Sequence, residues 1–285
     1  MSGFSPDWLA LREPADVRAR DPGLLAALAT HLASRASRRD GMEVVDLGCG
    51  TGANMRTTAP SLGPVQSWTL VDHDPVLLEA AREALLGWAD EASENGQSIA
   101  LKKEGRVIGV RFRQADLMQD LEAVIGGRPD LVTASALFDL CSVDFIRRLA
   151  RAVASERASF YTVLTYDGEQ AWNPAHPADA SMTAAFNAHQ QIDKGFGSSA
   201  GPAAPEVLAL AFRERGYNVL EASSPWRIDG RAGSSDQALI NALADGFAAA
   251  VSEIGQVPSD IIADWLTVRR NGSVVGHTDT LALPP

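Results

Sequence analysis

Glu43-Val44-Val45-Asp46-Leu47-Gly48-Cys49-Gly50-Thr51-Gly52 is the stretch that decides the fold. A short apolar run ends in an acid, and glycine then recurs at positions 48, 50 and 52. The pattern predicts a buried strand that enters a tight turn and opens a helix. With no Cβ in the way, the backbone of such a turn can approach a ligand closely. Cys49 inside the turn reads as a small buried filler rather than a nucleophile. With Cys141 it makes only two cysteines, too few for a disulfide framework or a four-ligand zinc site, and no metal is expected.

Downstream, strand and helix signals alternate. Trp68 to Val71 is a second apolar run, ending at Asp72. Asp74-Pro75 then starts a helix through Trp88, with Val76, Leu77, Ala80, Ala81 and Leu85 on its apolar face. Residues 89–105 are polar and read as a loop or insertion. Val107 to Phe112, Asp130 to Ala134 and Ser159 to Thr165 are further strands, with a helix over about 144–154. Residues 167–204 break this rhythm and read as a long excursion with a short helix near Met182 to Gln190. Tyr217 to Ala222 and Val274 to Leu283 are the last two strands, separated by a mostly helical second insertion. Upstream, Asp21-Pro22 starts a helix in which Leu24, Leu25, Leu28 and Leu32 recur at helical spacing. The expected fold is α/β: a seven-stranded, mostly parallel, doubly wound Rossmann-like sheet with a lid-like insertion after strand five. Such sheets bind ligands at the carboxyl ends of their strands.

Three glycine-rich ligand loops compete for the turn. A phosphate-cradling loop needs Gly-Lys-Ser/Thr, which is missing here. A dinucleotide loop prefers its third glycine three residues after the second, whereas Gly52 follows Gly50 by two. S-adenosylmethionine, the third ligand, has no pyrophosphate to seat. Its ammonium wants an acid or carbonyl, and its ribose diol wants a carboxylate. Asp46, two residues before Gly48, suits the amino-acid end. Asp72 suits the ribose, and Asp116, ending the third strand, suits the adenine amino group.

Asp46-Leu-Gly-Cys-Gly-Thr-Gly52, then Val71-Asp72, then Ala115-Asp116-Leu117, resembles the class I S-adenosylmethionine-dependent methyltransferase family. The resemblance covers roughly residues 40–165, and reaches the end of the chain if the last two strands form that family's antiparallel pair. It implies that Gly48 and Gly50 line the methionine moiety, that Asp72 with His73 meets the ribose, and that Asp116 and Leu117 flank the adenine. It implies that residues 133–139, with Ser135, face the transferable methyl. Residues 1–40 would form an N-terminal helical cap, with Arg12 as a candidate for the cofactor carboxylate. Residues 41–285 would form the methyltransferase domain, with insertions at about 167–204 and 230–272. The cofactor would be S-adenosyl-L-methionine and the product S-adenosyl-L-homocysteine.

The acceptor side is less defined. Residues 133–139, Thr-Ala-Ser-Ala-Leu-Phe-Asp, lack the Asn/Asp-Pro-Pro-Tyr pattern of methyltransferases acting on adenine or glutamine. Asp139, Asp167 and His189 are the candidate bases, in that order. Phe138, Tyr166, Trp172 and Lys194 are the candidate substrate contacts. A net charge of -11 opposes a polyanionic partner, because phosphate neutralisation needs clustered cations; Arg35, Arg38 and Arg39 form the densest basic stretch. A small-molecule acceptor is therefore expected, with nucleic acid disfavoured and the oligomeric state open. No run approaches the roughly 20 apolar residues of a membrane helix, and no signal pattern opens the chain, so a cytoplasmic location is expected. Two alternatives stand beside a methyltransferase: a non-catalytic S-adenosylmethionine-binding module, and an NAD-dependent oxidoreductase in which Asp72 meets the adenosine ribose.

Overall fold

Two helices precede the first strand in a computed structural model that describes residues 4–35, 41–96 and 98–285. Arg38 and Arg39 lie outside the described residues. Helix α1 (Pro6–Ala19) starts where the Ser5 side chain accepts a hydrogen bond from the Trp8 amide. Asp21 does the same for the Leu24 amide at the head of α2 (Pro22–Arg35), and Leu24, Leu28 and Leu32 form its buried face.

The chain then alternates. It runs through β1 (Met42–Leu47), α3 (Ala53–Thr58), β2 (Val65–Asp72), α4 (Pro75–Trp88), β3 (Glu91–Asn95), β4 (Ser98–Lys103), β5 (Arg106–Gln114), α5 (Leu117–Ile125), β6 (Leu131–Ser135), α6 (Val143–Glu156) and β7 (Ser159–Asn173). There follow α7 (Asp179–Gln190), α8 (Ala204–Arg213), β8 (Asn218–Ser223), β9 (Trp226–Asp229), α9 (Ser234–Ile254), α10 (Ser259–Thr267) and β10 (Gly272–Leu283). The sheet order is β3-β4-β5-β2-β1-β6-β7-β10-β8, with β9 beside β10. The pairs β5–β2, β2–β1, β1–β6 and β6–β7 are parallel, while β10 is antiparallel to β7, β8 and β9. The seven expected strands are all present, and β3, β4 and β9 extend the sheet. Val44 and Val45 lie in separate core clusters, because successive side chains of a strand point to opposite faces. Helices cover both faces, which explains why the strands read as nearly continuous apolar runs.

Two stretches differ from expectation. Residues 89–105 are a sheet-edge hairpin rather than a loop, turning at Asn95-Gly96. β3 is fully exposed, and its Glu91 pairs with Lys102; charge on an edge strand discourages pairing with other chains. Residues 167–173 prolong β7 although Gly168, Glu169 and Gln170 are poor strand formers. Their partner, residues 272–275 of β10, imposes the extended conformation, so tertiary pairing overrides propensity.

The two insertions pack on each other. Phe186 of α7 stacks on Phe247 of α9 with centroids 4.4 Å apart, and Trp172 meets Trp265 of α10 edge-on at 5.2 Å. The Arg270 guanidinium lies 3.6 Å from the Trp265 ring centroid, and Trp265 Nε1 donates to Asp179 Oδ1 at 2.7 Å. Among the described residues, no helix is long and apolar enough to cross a membrane.

Candidate functional site

The turn after β1 holds Gly48, Gly50 and Gly52 at φ of +61°, +52° and +75°, a region that side chains with a Cβ rarely adopt. The Cys49 amide donates to the Val71 carbonyl at 2.9 Å, tying the turn to β2. A Cβ at Gly48 would stand 3.3 Å from Leu137, and one at Gly50 would stand 3.1 Å from Leu9 of α1. The N-terminal helix thus lies directly on the turn. Arg56 fixes it there, pairing with Glu13 at 2.7 Å while donating to the Thr51 carbonyl.

Asp46 is fully buried below the turn. Its Oδ1 accepts from Asn54 Nδ2 at 2.7 Å, while its Oδ2 is buried without a partner. Burial pushes this carboxyl up to about 7, against the pull of the Asn54 bond and the Arg20 charge. A buried carboxylate oxygen left without a partner suits a donor cation such as an ammonium group. Asp72, at the end of β2, accepts from the Gly50 amide at 2.9 Å and from the Asp74 amide at 3.0 Å. These donors fix both carboxylate oxygens while leaving each a further lone pair for a diol. His73 is exposed, with Nδ1 3.3 Å from Asp72 Oδ1. Asp116 caps α5, accepting from the Met118 amide and from Gln119, and Leu117 beside it is buried. Both stand just past β5, at the same sheet edge as Asp72.

Ser135 ends β6, and Asp139 follows in a single helical turn. Asp139 Oδ1 is buried without a partner. Burial pushes its carboxyl up to about 6, opposed by local backbone donors, the Arg12 charge and the Tyr166 amide. Asp167 is half-buried at the strand edge; burial raises its carboxyl too, and its Oδ1 accepts from the Glu169 amide. Tyr166 donates its hydroxyl proton to Asn187 Oδ1 at 2.8 Å. Arg12 is committed within its own helix, pairing with Asp16 at 3.0 Å and lying 5.0 Å from the Trp226 ring centroid. His277, paired with Tyr166 across β10 and β7, is buried with Nδ1 unpartnered. Burial and the Arg12 charge hold its imidazole down at about 3, so it is neutral.

The sheet edge therefore gathers Asp46, Gly48, Gly50, Asp72, Ser135, Asp139, Tyr166 and Asp167. Four candidates sit elsewhere. Phe138 is fully buried against Phe160, at 5.5 Å between ring centroids, and is core rather than a substrate contact. Trp172 belongs to the aromatic interior of the insertions and is only 6% exposed. His189 pairs with Glu253 of α9 at 3.0 Å, and Lys194 Nζ is 3.3 Å from His189 Nδ1. On α7, Asn187 faces Tyr166; His189, two residues on, points about 200° further round the helix. His189 and Lys194 thus face α9 and not the strand ends.

Sequence reasoning missed Arg20, Asn54, Asp16, Trp226, His277 and Asp279. Two carried a signal: His277 and Asp279 interrupt the apolar run of residues 274–283. Asp279 accepts from the Asp21 and Leu164 amides and the Ser224 hydroxyl, so a fully buried acid splices α2, β7 and the loop after β8.

No protein-family model matches this chain, and no curated protein does. Solved structures do. A candidate methyltransferase from Bacillus halodurans aligns over 92% of this chain and 99% of its own, at 14% identity and a TM-score of 0.50. S-adenosylmethionine-dependent methyltransferases from Geobacter sulfurreducens and Thiobacillus denitrificans, each solved with S-adenosyl-L-homocysteine, align at 18% and 17% identity. The first covers 100% of both chains at a TM-score of 0.46, and the second 98% of both at 0.44. With its strand order and with β10 inserted antiparallel between β7 and β8, the chain has the class I S-adenosylmethionine-dependent methyltransferase fold.

Proposed function

We propose that this protein is an S-adenosylmethionine-dependent methyltransferase acting on a small-molecule acceptor. The observation that carries the reading is the pair of acids bordering the glycine turn: Asp46 with a free buried Oδ2, and Asp72 bound to the Gly50 amide. Two carboxylates there oppose a pyrophosphate and favour a ligand that is cationic at one end and a diol at the other. That disfavours a nicotinamide dinucleotide.

In this reading Asp46 receives the ammonium group, Gly48 and Gly50 lie along the amino-acid chain, and Asp72 accepts the ribose hydroxyls. Asp116 and Leu117 border the adenine, and α1 with α2 forms the cover. When bound, the cofactor supplies a methyl group activated by a positively charged sulfur. Catalysis by the protein is then largely alignment, with water excluded by α1 and the packed insertions. Asp139 is the first candidate base. A carboxyl at about 6 is ionised at neutral pH yet basic enough to take a proton from an acceptor hydroxyl or ammonium. Tyr166 and Asp167 flank it.

The test is calorimetric titration with S-adenosyl-L-homocysteine and with NAD, followed by incubation with labelled S-adenosylmethionine and a metabolite extract. Binding of the first ligand alone, with labelled product, is expected. Binding of NAD alone would overturn the reading. Cofactor binding without any labelled product would leave a binding module.

A further inference from the structure

A file of polar side chains runs beneath the glycine turn from the N-terminal helices to β1. Arg20 stands between α1 and α2. The next residue's amide, that of Asp21, is pinned to Asp279 Oδ2 at 2.9 Å, which fixes the arginine's backbone. Arg20 Nη1 donates to Asn54 Oδ1 at 2.8 Å and lies 3.4 Å from Thr58 Oγ1. Asn54, in the first turn of α3 and 3% exposed, donates in turn from Nδ2 to Asp46 Oδ1 and, at 3.1 Å, to Thr133 Oγ1. An amide that accepts from a cation on one side and donates to a carboxylate on the other is polarised along one direction. The arginine therefore acts on Asp46 without touching it. Both ends of the file keep a buried atom without a partner, Arg20 Nε and Asp46 Oδ2. A purely structural filler would be satisfied more cheaply by apolar groups.

We propose that Arg20 is a positioning residue for the cofactor site: through the Asn54 amide it orients and electrostatically supports Asp46, whose free Oδ2 receives the ammonium group of the ligand. The assignment rests on the S-adenosylmethionine reading of the turn. The ionisable groups facing Asp46 are Arg20 from the helix junction, Asp72 from β2 and Cys49 from the turn. Cys49 is neutral, its thiol pushed up by burial. Asp72 opposes ionisation of Asp46, and Arg20 is the cation that, with the Asn54 hydrogen bond, works against burial and Asp72.

The test measures S-adenosyl-L-homocysteine affinity between about pH 5.5 and 7.5, below the range where a free α-amino group loses its proton. Wild type, Arg20→Met, Arg20→Lys and Asn54→Leu are compared as full chains. Wild-type affinity is expected to weaken as Asp46 takes up a proton below about 7. Arg20→Met should move that acid limb upward by about one pH unit, which is roughly tenfold in affinity on the limb. Arg20→Lys should restore most of it. Asn54→Leu should reproduce the shift with the arginine intact, which keeps the test available if Arg20→Met does not fold. A wild-type protein that binds, with an acid limb unmoved in the variants, would overturn the role of Arg20 alone. A wild-type protein that does not bind the ligand would overturn the reading of the turn as well.

Discussion

Leu9 rests on Gly50: its Cδ1 lies 3.1 Å from where a Cβ on that glycine would stand. The same glycine has φ +52° and donates its amide to Asp72. Gly50→Ala therefore meets two obstacles, a left-handed conformation costing about 1–2 kcal/mol and a methyl group driven against α1. S-adenosyl-L-homocysteine affinity is expected to fall at least tenfold, measured by calorimetry. Gly87→Ala is the contrast. Gly87 is exposed near the end of α4, with no neighbour within 4 Å of its Cβ position. That substitution should stabilise the protein by about 0.5–1 kcal/mol and leave affinity unchanged.

Trp172 was a candidate substrate contact, and its packing makes a different prediction. It meets Phe247 and Trp265 edge-on at 5.7 and 5.2 Å, with Arg270 5.0 Å from its ring centroid. Trp172→Ala opens a cavity where the two insertions join and should destabilise the protein by about 3–5 kcal/mol in denaturant titration. Trp172→Phe keeps most of the contact, and its KM for the acceptor should match wild type.

The cofactor half of the site was legible in sequence because it is local. The glycines, Asp46 and Asp72 lie at the ends of two consecutive strands, and their spacing carries the geometry. The acceptor half is assembled from afar. His277 reaches Tyr166 only through antiparallel pairing of β10 with β7, and Trp226 reaches Asp16 across the fold, donating at 3.0 Å. His189 and Lys194 looked suitable by residue type and by their place after strand five. The phase of α7, which turns His189 toward α9, was not fixed by any apolar stripe, and Lys194 meets His189 from the loop after that helix. The extension of β7 was hidden for the same reason, since its partner lies about 100 residues away.

His277 gives a pH dependence of stability with a definite sign. Its imidazole is held at about 3 in the fold against about 6.5 when unfolded. Between those values the unfolded chain binds the extra proton, so stability falls as pH drops below 6.5 and the contribution is complete above it. Each pH unit in that window costs at most about 1.4 kcal/mol from this group. Asp46 and Asp139, raised by burial, act in the opposite sense, gaining stability as pH falls toward 4. Removing the histidine should therefore expose their effect. Between pH 7 and 5 the stability of His277→Asn is expected to rise more than that of wild type in thermal melts. An equal change in both proteins would show that His277 charges in the fold.

Asp139 and His189 make opposite predictions for catalysis. Asp139 stands at the strand ends with a free Oδ1 and a carboxyl at about 6, whereas His189 is paired with Glu253 on the side of α7 turned to α9. Asp139→Asn keeps the shape and removes the base. Turnover on the acceptor should fall by roughly 10²–10⁴ with cofactor affinity unchanged. The lower limb of the rate-against-pH profile, expected near 6 in wild type, should vanish with it. His189→Gln should leave kcat within about twofold and act, if at all, on thermal stability by less than about 1 kcal/mol, the usual worth of a partly exposed ion pair. A large kcat loss in His189→Gln with an active Asp139→Asn would reverse the two assignments.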